Sequence, residues 1–149
     1  MSEIGFISAV LHKISTIEES FRRFESPSNS DKQVSVKTGT KMEFGYRDEE
    51  KHSFIVAKIT FNVTVSSSEA HVLGEYSSVI SGEFKLSHKH GFSDWADMSK
   101  EVPVPYFSFV HYIARERARE SFAAAGMGNL RIPIPDELDG RADQLQIVE

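Results

Sequence analysis

Residues 103–135 read PVPYFSFVHYIARERARESFAAAGMGNLRIPIP, and this stretch decides the fold. Pro103 and Pro105 hold the approach extended and fit a first helical turn, where a missing N–H costs nothing. Ala-rich sequence then runs to Gly126, a natural left-handed C-cap, with Gly128 in the turn beyond. A helix over 105–125 is predicted. Leu130, Ile132 and Ile134, with Pro133 and Pro135, form an extended exit that can lie on a surface but cannot join a sheet interior.

Upstream, the sequence alternates. Val34, Val36, Met42, Phe44 and Tyr46 share one face with Thr38 and Thr40, against Ser35, Lys37, Lys41 and Glu43. Gly39 and Gly45 lie on the polar face and are candidates for bulges or bends. Over 53–67, Ile55, Ala57, Ile59, Phe61, Val63 and Val65 oppose Lys58, Thr60, Asn62 and Thr64. Over 72–86, Val72, Tyr76, Ile80, Phe84 and Leu86 are expected inward, and Glu75, Ser77, Ser81, Glu83 and Lys85 outward. Short polar turns join these strands into an antiparallel meander with one wet face. Residues 6–17 carry apolar side chains at both helical and strand spacings; β-branched content tilts them to strand, with Glu18 to Phe24 as a helical turn or a continuation.

One apolar sheet face needs a cover, and 105–125 supplies it. Tyr106, Val110, Ile113, Ala114, Ala118 and Phe122 form a contiguous helical arc, with Arg117 inside it. A buried Arg needs a partner, so either Arg117 pairs internally or that edge meets another subunit. Ile113 and Arg117 are therefore the candidate subunit contacts. His111, away from this arc, is expected to be a surface or partly buried histidine. The expected architecture is α+β: a four-stranded antiparallel sheet, a meander, under one long C-terminal helix. A single domain spans 1–135 and a short acidic tail 136–149.

The totals exclude several classes. The 149 residues suit one domain, and a net charge of −5 disfavours a nucleic-acid partner. No cysteine is present, so disulfides, thiolate metal sites and thiol nucleophiles are absent. No signal peptide or membrane span is expected, which leads to a soluble, cytoplasmic protein without membrane insertion.

In element order, 34–135 resembles the SecB family of export chaperones. The residues that carry the likeness are Ala114-Arg115-Glu116, Gly126 near the helix end, Leu130-Arg131-Ile132-Pro133, and Ile80-Ser81-Gly82-Glu83-Phe84. The second helix of the export protein has no evident counterpart in LDGRADQLQIVE, so the chain looks more like divergent SecB-like members, including those tied to toxin–antitoxin systems. The resemblance implies ATP-independent binding of unfolded polypeptide in apolar grooves, no cofactor, and a homo-oligomer, dimer or tetramer.

Residues 87–101 (SHKHGFSDWADMSKE) place Phe92, Trp95 and Met98 on a polar loop. These side chains either cap the core or form a polypeptide-binding surface, with Tyr106 and Phe107 at the helix start as neighbours. His88 and His90 with Asp94 and Asp97 lack a third spaced His, and a solvated loop is favoured over a metal site. Arg115, Arg117 and Arg119 interleave with Glu116 and Glu120, which favours intrahelical ion pairs over an RNA stripe. There is no nucleophile elbow, P-loop or dinucleotide fingerprint, so an enzyme is not expected. Two functions stay open: a holdase for extended clients, or an interaction module that recognises one folded partner, such as a toxin component or host factor.

Overall fold

The computed structural model describes residues 9–24, 34–49, 51–67, 71–86 and 104–135. Four strands, β1 (Ala9–Arg23), β2 (Val34–Asp48), β3 (Ser53–Ser67) and β4 (Val72–Leu86), precede one helix, α1 (Val104–Ala124). The sheet is antiparallel throughout, in the order β1-β4-β3-β2. The meander thus runs through β2, β3 and β4, while β1 lies beside β4, leaving β1 and β2 as the two edges.

Alternation places the core as expected along β3, where Ile55, Ala57, Ile59, Phe61, Val63 and Val65 are all fully buried. Pairing of β2 with β3 runs unbroken from Val34↔Ser67 to Asp48↔Ser53, so Gly39 and Gly45 mark no bulge. The irregularities lie elsewhere. In β4, Ser66 pairs with Val72 and Val65 with Gly74, which leaves Leu73 as an extra residue. That residue reverses the phase at the strand start: Leu73 is buried and Val72 is exposed, contrary to the inward expectation for Val72. In β1 the register shifts twice, between Leu11 and Lys13 and between Thr16 and Glu18. Glu18 to Arg23 continues the strand; it is not a helical turn.

Helix α1 lies across β3 and β4. It buries Tyr106, Phe107, Val110, His111, Ala114, Ala118 and Phe122, a stripe at three- and four-residue spacing. The stripe is rotated from the expected arc. His111 is completely buried, with its ring 4.8 Å from that of Phe61, while Ile113 and Arg117 fall on the half-buried flank. The helix ends in two backbone bonds, from Gly126 N–H to the Ala123 carbonyl and from Met127 N–H to the Phe122 carbonyl, both 3.0 Å. With Gly126 at φ 85°, this is the Schellman arrangement that satisfies the last carbonyls. The chain then turns back, and Leu130 and Ile132 are buried in the core.

Two inward-facing positions of β4 carry no side chain, and there the helix comes close. A methyl group at Gly82 would stand 2.8 Å from Val110 Cγ2 and 3.1 Å from Phe84 Cε1; at Gly74 it would stand 3.1 Å from both Phe122 Cε1 and Met127 Cε. Gly82→Ala is expected to destabilise the domain by about 1–3 kcal/mol in urea unfolding. The same substitution in a Val110→Ala background should cost much less. A full additive loss in the double variant would show that close approach of the helix is not the cause.

Candidate functional site

The sequence places Phe92, Trp95 and Met98 between β4 and α1, a stretch outside the described residues. Its two ends are anchored in the core. Leu86 closes β4 buried, and Tyr106 opens the helix with its ring 4.8 Å from that of Phe84. Phe107 is also buried, 5.9 Å from the Phe44 ring. Tyr106 and Phe107 therefore have their own rings turned into the core. His88, His90, Asp94 and Asp97 lie outside the described residues as well, as does the 136–149 tail.

On one flank of α1, toward β2, the extended exit makes a groove. A cavity of about 220 Å³ is lined by Thr38, Thr40, Pro133, Ile134 and Pro135, and Ile134 is exposed beside it. Among the described residues β2 pairs on one side only, with β3, and is an edge of the sheet. Prolines at 133 and 135 keep the wall extended and prevent it from adding to the sheet. Sequence reasoning read this stretch as a surface exit without seeing that its partner is β2. Two aromatics of α1 are exposed: Phe109, whose ring still meets that of Phe84 at 6.1 Å, and Tyr112. Their three-residue spacing off the apolar arc was the signal that could have found them.

The opposite flank is polar where β1 meets the helix. Arg117 Nη1 donates to Thr16 Oγ1, so this guanidinium has an internal partner. Below it, Tyr76 donates from its hydroxyl to Glu19 Oε2 at 2.7 Å. Burial pushes the Tyr76 phenol up to about 12, and the Glu19 carboxylate contributes to the rise. Ile113 packs against the core from this side. On the outer surface Arg119 pairs with Glu116 at 2.7 Å, as the alternating charges suggested. Among the described residues no three His, Asp or Glu side chains group as metal ligands, and no helix is long and apolar enough to cross a membrane.

His111 joins the helix to β2, with Nε2 3.5 Å from Thr40 Oγ1. Burial lowers its imidazole from 6.5 to about 4, and the nearby Arg115 guanidinium adds to the effect. Between these values the unfolded chain holds the proton and the folded chain does not. Stability therefore falls as pH drops from 6.5 toward 4, by up to roughly 3 kcal/mol, while above 6.5 the group contributes no pH dependence. Chemical denaturation at pH 7 and pH 5 should show about 2 kcal/mol more loss in the native chain than in His111→Leu. Equal losses in the two would remove His111 as the source.

No protein-family model matches the chain, and no curated protein matches it by sequence. Solved structures do match in fold. The SecB-like chaperone Rv1957 of Mycobacterium tuberculosis, in complex with a ChAD peptide from the HigA1 antitoxin, superposes with a TM-score of 0.70 at 9% identity, over 85% of this chain and 90% of that one. A Streptococcus agalactiae protein of unknown function superposes with a TM-score of 0.57 at 12% identity, over 86% of this chain and 98% of that one. The fold is SecB-like.

Proposed function

We propose that this SecB-like domain is a cytoplasmic, ATP-independent chaperone that binds extended apolar segments of unfolded polypeptide. The observation that carries the reading is the groove between the open edge strand β2 and the Pro-stiffened exit, lined by Thr38, Thr40, Pro133, Ile134 and Pro135. An extended segment can pair its backbone with such an edge while apolar side chains settle on the wall. Phe92, Trp95 and Met98 add large, adaptable side chains on the segment held between Leu86 and Tyr106. No step of this activity requires a nucleotide, metal or catalytic side chain.

A second reading has its own support. The mycobacterial neighbour is held in complex with an antitoxin peptide. By analogy, this chain recognises one dedicated protein partner through the same groove. A holdase suppresses aggregation of several unrelated denatured clients at near-stoichiometric amounts without nucleotide, whereas a dedicated binder ignores them. Light scattering on dilution of denatured clients is the deciding measurement. Suppression is expected, with several-fold weakening in Trp95→Ala or Ile134→Asp at unchanged melting temperature. No suppression across several clients would overturn the holdase reading.

The working unit is proposed to be a homo-oligomer, dimer or tetramer. Support comes from the β1 flank, where Val10, Leu11 and Ile17 are exposed on an unpaired edge beside the half-buried Ile113 and Arg117. Light scattering after size exclusion should give a multimer that Ile17→Asp dissociates. A native chain that stays monomeric at high concentration would refute the assembly.

A further inference from the structure

The buried ring of His111 has two nitrogens, and one of them meets a partner. Nε2 lies 3.5 Å from Thr40 Oγ1, while Nδ1 is buried with no hydrogen-bond partner among the described residues. Burial, with the Arg115 guanidinium one turn along the helix, keeps the ring neutral at pH 7, so it carries a single N–H. If that proton sat on Nδ1, a buried N–H would be left without an acceptor, which costs its full desolvation; an unfilled ring lone pair costs less. The proton therefore sits on Nε2, and Thr40 Oγ1 accepts it. In this form Nε2 has no lone pair to receive the hydroxyl's own proton. The Thr40 hydroxyl is thus left as a donor directed away from the ring.

That donor borders the β2 groove. Thr40 lines its cavity of about 220 Å³ together with Thr38, Pro133, Ile134 and Pro135, and no charged side chain is in the lining. Prolines leave the 133–135 wall one amide hydrogen, that of Ile134. Apart from His111, the Thr40 hydroxyl has no hydrogen-bond partner among the described residues. A donor beside an apolar wall suits an uncharged acceptor. We infer that the Thr40 hydroxyl, oriented by His111, receives a backbone carbonyl of the polypeptide bound in the β2 groove. Every residue of an extended apolar segment carries such a carbonyl, so the contact sets the segment's position without reading its side chains. His111 touches Thr40 and not the bound chain, and is a positioning residue. The inference rests on the polypeptide-binding reading and names the group of the client that the groove recognises.

The test uses the full chain, a short Val/Leu-rich synthetic peptide, and a series of that peptide in which one amide at a time is replaced by an ester, whose carbonyl is a weaker acceptor. Binding is read by fluorescence anisotropy. One ester position is expected to weaken binding to the native chain by about threefold to tenfold, and the same ester should have no further effect in Thr40→Val. Thr40→Ser, which keeps the hydroxyl, should restore the sensitivity. His111→Gln keeps a donor near the Nε2 position and should retain it as well, while His111→Leu should reduce it; equal sensitivity in these two would overturn the part given to His111. Independently of any variant, nitrogen NMR of the native chain at pH 7 should place the His111 proton on Nε2, and a proton on Nδ1 would overturn the proposal. Binding of every ester as tightly as the parent peptide would also overturn it while leaving the chaperone reading in place. An ester effect that persists undiminished in Thr40→Val would do the same. Failure of the native chain to bind the parent peptide would sink the polypeptide-binding reading and this inference together.

Discussion

The distance between α1 and β4 is the constraint on which the rest depends. Gly82 and Gly74 leave the sheet bare beneath Val110 and Phe122, and Ala114 and Ala118 keep the helix thin where it crosses. Close packing of this kind buries a narrow seam completely and leaves most of the helix circumference outside. A bulkier β4 would lift the helix, open the core under Phe107 and His111, and displace the exit segment that Leu130 and Ile132 pin down.

A single helix over a four-stranded sheet covers the middle strands and leaves both flanks uncovered, and the two flanks differ in chemistry. Toward β2 the helix presents His111, and the returning chain supplies a Pro-stiffened wall beside Thr38 and Thr40. Toward β1 it presents Ile113 and Arg117 above a seam of Thr16, Glu19 and Tyr76. The proposed polypeptide site and the proposed subunit contact therefore occupy opposite sides of one helix, and each can be changed without disturbing the other.

Much of the fold is legible because β2 and β3 alternate throughout, β4 alternates beyond its first residues, and the helix is bracketed by Pro and Gly. The strand β1 is not legible, for a physical reason. Ala9, Ile14 and Phe21 all pack toward the core although Ile14 stands an odd number of positions from each of the other two, and the two register shifts, one on either side of Ile14, reconcile that spacing with a pleated strand. Bulges leave no fixed residue signature, so alternation fails wherever one occurs, as it also does at Val72 and Leu73. His111 is misplaced because the arc was drawn through Ile113, whereas the buried stripe runs through Phe107 and His111, and a neutral imidazole can be buried when packed on a ring such as Phe61. At the candidate site, Thr38 and Thr40 are legible on β2 and Pro133 to Pro135 as a stiff exit, but their meeting depends on the chain reversing at Gly126, which spacing along the sequence cannot show.

The position of β1 has a consequence for how the domain assembles and comes apart. Strands β2, β3 and β4 join through short hairpins, and α1 packs on the last two, so these elements form through contacts between near neighbours in the chain. Strand β1 closes against β4 only across the whole meander, with Arg23 opposite Gly74 and Ala9 opposite Leu86. It adds little to the shared core, and its amides are expected to exchange with solvent by a sub-global opening in which the other three strands and the helix stay intact. Such an opening exposes the β4 edge, so the same molecule can offer a third strand edge to an extended chain for the short time that β1 is detached.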